Sequence, residues 1–258
     1  MMKRCSRPSV RVQRQLVTVG GGASVAGVKD RLGSIMPWVF AALFAVSRCP
    51  GLMPPNFSAV YGFVLCVGAF VPGRMGWLLP LVTMVLTDVG LNFYYQLAKG
   101  VDVWTWGALL SHLGNYAGFF VLWGIGRLLK PRKAGAKPRT GAAKKMESIA
   151  TLVGGGLLGT ALFYLITNTL AWLFNPFHNP EYSKDWQGWL IALTSGTGKW
   201  DATWTFFIRS LMSSALFTAL FAGSWLFAGV GVESPADKGE EPVRAPVGAA
   251  EETEEAAA

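Results

Sequence analysis

The chain is poor in charge. Only 15% of its 258 residues are Asp, Glu, Lys or Arg, against 52% hydrophobic, and few soluble domains carry so little charge. Eight of the fifteen acids (Glu233, Asp237, Glu240, Glu241, Glu251, Glu252, Glu254, Glu255) sit in the stretch 233–258, leaving seven for the body. Histidine and cysteine are scarcer still: His112 and His178, with Cys5, Cys49 and Cys66 in no C-x-x-C spacing. That excludes a structural zinc site, and because Cys66 lies inside an apolar run, free thiols are expected rather than a Cys49–Cys66 disulfide. Catalytic signatures are missing as well: there is no G-x-S-x-G elbow, no H-E-x-x-H and no Ser-His-Asp set.

Two glycine clusters imitate nucleotide motifs and fail. After Gly20-Gly21-Gly22 the third glycine of a G-x-G-x-x-G turn would be Val25, and no Rossmann unit follows. In Gly196-Thr197-Gly198-Lys199 the first glycine of a P-loop falls on Leu193, and Trp200 replaces the Ser or Thr that holds magnesium. No cofactor is expected on these grounds.

What the chain has in quantity is apolar length. A bilayer crossing needs about 20 mostly apolar residues. Six stretches approach or meet that, approximately 32–47, 57–72, 76–98, 104–129, 149–174 and 204–230. The first two are short and are separated by Arg48-Cys49-Pro50-Gly51-Leu52-Met53-Pro54-Pro55-Asn56, where the prolines break any continuous helix and a tight hairpin results. The segment 188–196 is apolar but too short to cross, and its neighbours Trp186, Trp189, Trp200 and Trp204 suit an interfacial or re-entrant piece in an aromatic belt.

An isoelectric point near 9.6 and a formal charge of +8 would ordinarily suggest nucleic acid. Here the basic residues flank apolar runs, as the positive-inside rule requires, so the charge reports orientation and no nucleic-acid partner is expected. Residues 1–31, Arg74, residues 127–145 and the C-terminal tail together hold eighteen Lys and Arg, whereas Arg48, Lys99, Lys184 and Lys199 are the four on the other side. The expectation is therefore an all-α, polytopic membrane bundle of about six transmembrane helices, with both termini inside. Its parts are a basic N-terminal segment 1–31, a transmembrane domain 32–230 with a basic cytoplasmic loop 130–145 resting on anionic lipid, and a disordered acidic tail 231–258. The location is the inner (plasma) membrane, crossed several times. A rival reading makes the first helix a cleaved signal peptide ending near Ala45-Val46-Ser47; Met36 as the true start would leave the preceding residues as leader.

Polar residues inside the spans carry the functional signal: Asp88 and Asn92 in the third, His112 and Asn115 in the fourth, Asn168 in the fifth and Arg209 in the sixth. Such groups are costly in lipid and face a bundle interior or a watery cavity. At 1.5 Å per residue, Arg209 and Asn168 lie roughly 8 Å below the outer surface and His112, Asp88 and Asn115 roughly 12 to 17 Å. Asp88 with Asn92, and His112 with Asn115, share helix faces. An outward-opening pocket follows, walled by Tyr94, Tyr95, Tyr164, Trp172, Trp186 and Trp189, with Arg209 placed for an anionic group or for Asp88. The competing expectation is that these side chains only bond neighbouring helices. Ala41-x-x-x-Ala45, Gly114-x-x-x-Gly118 and Gly155-x-x-x-Gly159 allow close helix approach, most often within one chain.

Several stretches resemble a bacterial membrane-protein family of unknown function, DUF6580, itself similar to the substrate-binding S components of energy-coupling-factor transporters. They are Pro54-Pro55-Asn56-Phe57-Ser58-Ala59-Val60 leading into Gly68-Ala69-Phe70, Leu79-Pro80-Leu81 through Thr87-Asp88, Phe163-Tyr164-Leu165-Ile166-Thr167-Asn168-Thr169-Leu170-Ala171-Trp172, and Phe206-Phe207 with Ala215-Leu216-Phe217. The resemblance covers roughly 53–227. It implies six helices and capture of a vitamin-like or metal solute at the outer face. It also implies docking, through Ala41 and Ala45, onto a transmembrane coupling protein that carries two ATPases. The acidic residue that members often carry near Ser213 or Ser214 is absent, a departure in the site chemistry; the histidine-bearing N-terminal motif of nickel and cobalt S components is lacking too, and with the aromatic wall this makes an organic solute and no metal the expectation.

The leading expectation is thus a non-catalytic solute-binding subunit whose substrate site comprises Asp88, Asn92, His112, Asn115, Asn168, Trp172 and Arg209. Two alternatives stay open. One is an integral-membrane enzyme acting on a lipid or isoprenoid, with Asp88 and His112 as acid and base. The other is a membrane scaffold whose contact surfaces are the basic loop and the acidic tail.

Overall fold

A computed structural model of the protein describes residues 22–131, 141–198 and 200–229. Most of the expected basic N-terminal segment, the centre of the basic loop, Lys199 and the acidic tail lie outside the described residues. Those described form seven helices and no strand: α1 (Gly22–Ser47), α2 (Val60–Phe70), α3 (Met75–Lys99), α4 (Trp106–Leu128), α5 (Ala142–Phe174), α6 (Trp186–Leu193) and α7 (Thr203–Ala228). Four of them, α3, α4, α5 and α7, are long and apolar enough to cross a membrane. They coincide with the last four expected spans, and their outward faces carry Leu86, Phe120, Met212 and Leu220, all exposed, as lipid contact requires.

The other two expected spans look different. The stretch 32–47 is the apolar half of α1, which begins a decade of residues earlier at Gly22. The stretch 57–72 condenses to α2, an 11-residue helix. At 1.5 Å per residue it is about 16 Å long, roughly half the hydrocarbon thickness. Pro54, Pro55 and the left-handed Asn56 (φ 61°) hold the approach to it non-helical, and Pro72 with the left-handed Gly73 (φ 67°) turns the chain beyond it.

Short as it is, α2 is the axis of the bundle. Every residue from Val60 to Ala69 is buried, and α1, α3, α4, α5 and α7 all pack against it. A helix apolar on every face can only be stable when surrounded in this way. Its small residues let neighbouring backbones close in: a Cβ at Gly62 would fall 2.6 Å from the backbone of Phe217 and Thr218, and one at Gly68 would fall 2.6 Å from the Trp123 carbonyl. Aromatic pairs fill the remaining volume, with Phe40 stacked on Phe221 at 4.2 Å, Phe44 on Phe63 at 5.5 Å and Phe70 on Trp225 at 4.9 Å.

Pro80 sits inside α3 and cannot donate a backbone bond to Gly76 four residues earlier. Trp123 of α4 supplies the missing donor, its indole Nε1 lying 2.7 Å from the Gly76 carbonyl. Freed carbonyls in a membrane helix require such a partner.

Two packing expectations meet different outcomes. Gly114, Gly118, Gly155 and Gly159 receive Leu170, Phe163, Leu129 and Leu122 across the α4–α5 contact, so those small residues serve intrachain packing. The Ala41–Ala45 pair does not form an outward docking face. Ala41 is buried in the core, and Ala45 is half-buried beside Thr87, Gly90 and Tyr94 of α3. The side of α1 turned outward carries Trp38, Val39, Leu43 and Val46 instead.

Candidate functional site

The helices splay at one end. The C-terminal ends of α1, α3 and α5 and the N-terminal ends of α2, α4 and α7 enclose a cavity of about 800 Å³ there. Arg74, Arg127, Lys144 and Lys145 mark the opposite end, where these same helices begin or finish. Because α2 starts late, the non-helical segment 48–59 forms part of the cavity wall. Irregular backbone at that depth is tolerated where it borders a cavity. Ser47 anchors the segment: its hydroxyl donates to the Phe44 carbonyl (2.7 Å) and accepts the Ala59 N–H (3.0 Å).

Arg48, the first residue of that segment, turns back onto α3. Its Nη2 lies 2.5 Å from Asp88 Oδ1, and its Nη1 donates to Thr87 Oγ1 at 2.9 Å. The second carboxylate oxygen of Asp88 accepts the Tyr116 hydroxyl at 2.6 Å and has His112 Nδ1 at 3.5 Å. A carboxylate inside a bilayer is tolerable only when its charge is matched and its lone pairs are occupied. Here an arginine from the segment after α1 and a tyrosine and a histidine from α4 meet that need.

Below this cluster the floor is aromatic and hydroxylic. Tyr61 of α2 donates to Ser210 Oγ of α7 (3.0 Å), and Ser210 reaches the Asn56 carbonyl at 3.4 Å. Phe119, Phe163 and Tyr61 meet ring to ring, with centroids 4.5 to 5.9 Å apart. On the α5 wall, Tyr164 stacks on Phe207 at 4.3 Å and donates its hydroxyl to the Leu193 carbonyl at the end of α6. Asn168 spends its Nδ2 on the Tyr164 carbonyl (2.8 Å), leaving its amide oxygen open. Asn115 on the α4 wall makes no side-chain hydrogen bond among the described residues.

Of the expected site residues, Asp88, Asn115 and Asn168 line the cavity. His112 stands directly behind Asp88. Asn92, Trp172 and Arg209 are not on the wall. Trp172 donates to the Ser183 carbonyl at 2.6 Å, while Lys184 caps the C-terminal end of α5 through the carbonyls of Trp172 (2.5 Å) and Leu173 (2.7 Å). Arg209 pairs with Asp201 at 3.3 Å and lies 5.8 Å from the centre of the Phe206 ring. Of the two roles expected for Arg209, an anionic group or Asp88, the second is taken by Arg48. Tyr95 and Tyr164 belong to the aromatic wall, but Tyr94, Trp172, Trp186 and Trp189 do not; Phe57, Phe119, Phe163, Phe174 and Phe206 take their places.

Sequence reasoning missed Arg48 and Tyr116. Tyr116 was accessible, since it lies one helical turn from His112 on the same face of α4. Arg48 carried a weaker signal, a lone cation at the junction of an apolar run and a proline-rich turn.

The short helix α6 packs against α5 and α7 at this end. Asp185 caps it, accepting the Gly188 N–H and the Ser183 hydroxyl, each at 2.8 Å, and these bonds hold its carboxyl below the usual carboxylate range. Trp189 binds α6 to α5 through Thr169 Oγ1 at 3.1 Å.

The profile of DUF6580, a family of unknown function, matches residues 29–235, which include every residue of the cavity and its charged cluster. No curated protein and no solved structure matches the chain.

Proposed function

The chain belongs to the DUF6580 family, whose function is unknown, and from that premise we propose that it is a membrane-embedded subunit that captures a small organic solute from the outer face of the inner (plasma) membrane for uptake. The observation that carries this reading is the cavity itself. Its volume of about 800 Å³ lies within the range of small-molecule sites, and it combines an aromatic floor with the uncommitted amide of Asn115 and the open amide oxygen of Asn168. Side chains that only tied helices together would have spent those groups on neighbouring helices.

On this reading all six apolar helices, α1 to α5 and α7, cross the bilayer. The short α2 completes its crossing through the non-helical segment 48–59. The basic end faces the cytoplasm, and both termini lie there. Uptake energy comes from a separate coupling protein with two ATPases, as in S components of energy-coupling-factor transporters. That partner docks on a surface other than Ala41 and Ala45.

The lipid-enzyme alternative draws less support. His112 is absent from the cavity wall, and Asp88 is committed to Arg48 and Tyr116, so neither is free to move a proton to or from a bound substrate. The test is native mass spectrometry of the detergent-purified protein and of Asn168→Ala. A small molecule retained by the wild type and lost in the variant is the expected result. An empty wild-type protein overturns the reading in favour of a scaffold.

A further inference from the structure

The charges of the cavity are closed against each other. Arg48 and Asp88 are the charged side chains among the described residues lining it, and they pair at 2.5 Å. Both guanidinium terminal nitrogens are engaged on α3, by Asp88 and Thr87, and both carboxylate oxygens have partners. Around this neutral pair the lining is uncharged: aromatic rings, aliphatic side chains, hydroxyls and amides. A charged solute entering such a site would lose its hydration and meet no free counter-charge.

We propose that the Arg48–Asp88 pair is a charge filter that restricts the cavity to uncharged solutes carrying a flat ring and a polar, amide-like substituent. This rests on the solute-binding reading and adds the class of solute to it. Asp88 is the specificity-determining residue: it neutralises Arg48, which would otherwise make the cavity an anion site. Specificity of this kind arises from an element that disfavours the wrong ligand as much as from contacts to the right one. The ring sits over Phe119 and Phe163, and the substituent reaches the open amide of Asn115 and the amide oxygen of Asn168.

The filter can be read with three isosteric probes at neutral pH, using saturation-transfer NMR on the full chain in detergent. Nicotinamide is neutral, nicotinate is an anion and 3-(aminomethyl)pyridine is a cation. The wild type is expected to bind nicotinamide at least about tenfold more tightly than either charged probe, the difference one charge-assisted contact makes. In Asp88→Asn the unpaired Arg48 should shift the nicotinate-to-nicotinamide affinity ratio by about tenfold toward nicotinate. Arg48→Gln should shift preference toward the cation instead, so failure of one variant to fold leaves the other as a test. The double variant, neutral again, should restore the wild-type order. Equal or tighter binding of nicotinate by the wild type, or unchanged ratios in both single variants, overturns the filter while leaving solute binding intact. Binding of none of the three probes at millimolar concentration overturns the solute-binding reading and the filter together.

Discussion

Tyr116 of α4 donates its hydroxyl to Asp88 of α3 over 2.6 Å, on the carboxylate oxygen that Arg48 does not occupy. The bond ties two apolar helices together beside the cavity. Tyr116→Phe keeps the ring and removes only that donor. It is expected to lower stability by about 1–3 kcal/mol, the usual cost of depriving a buried charged group of a hydrogen bond. Thermal unfolding in detergent measures this; a change within error would mean that His112 alone satisfies that oxygen.

A cycle of two substitutions isolates the repair at Pro80. Trp123→Phe removes the indole donor to the Gly76 carbonyl and should cost about 1 kcal/mol. Pro80→Ala restores the helical N–H to that carbonyl. In the Pro80→Ala background Trp123→Phe should cost less by a similar amount, and additivity of the two would show that the Gly76 contact contributes nothing.

The glycines of α2 and α4 are expected to divide sharply. At Gly62 an added methyl meets the backbone of α7, which cannot move aside as a side chain can, so Gly62→Ala should destabilise by about 1–3 kcal/mol or more. At Gly124 a Cβ meets nothing within 4 Å, and Gly124→Ala should be neutral or slightly stabilising through helix propensity. Equal effects at the two sites would contradict the position of α2 as a central axis.

How much of this was legible beforehand differs from element to element. α3, α4, α5 and α7 are visible because length and hydropathy suffice to mark a crossing helix. The shortness of α2 is not, since the apolar run 57–72 extends beyond both ends of the helix into backbone that Pro54, Pro55 and Pro72 hold non-helical. Asp88 stands out as an acid in an apolar run. Its partner does not, because Arg48 is a turn residue by sequence and only folding returns it to α3. Arg209 was the natural candidate by depth; depth does not specify the rotation of a helix about its axis, and that rotation turns Arg209 toward Asp201. The same ambiguity placed Ala41 on the outside, where the core in fact claims it.

The interface of α5 and α7 holds three fully buried hydroxyls, Thr160, Ser214 and Thr218, without hydrogen-bond partners among the described residues. Burying a hydroxyl unpaired costs roughly 1–3 kcal/mol. Thr160→Val and Thr218→Val preserve shape and remove that cost, so each should leave the protein as stable as before or about 1 kcal/mol more stable. A clear loss of stability in either variant would show that an internal water bridges these groups.

Thiol accessibility tests the proposed orientation directly. Cys49 is exposed at the rim of the cavity, and Cys66 is buried in the middle of α2. A thiol reacts through its thiolate and needs access to the reagent, so Cys66 should stay silent while Cys49 reacts. Cys5 falls at the other end of the proposed topology, in the basic N-terminal segment; Cys5→Ser removes it from consideration. In right-side-out vesicles carrying Cys5→Ser, a membrane-impermeant maleimide is expected to label the protein, and adding Cys49→Ser should abolish the label. Labelling in inside-out vesicles alone would place the cavity on the cytoplasmic face. That result would invert the relation between basic flanks and the inner surface on which the proposed topology depends, and it would turn the captured solute from one taken up into one gathered from within.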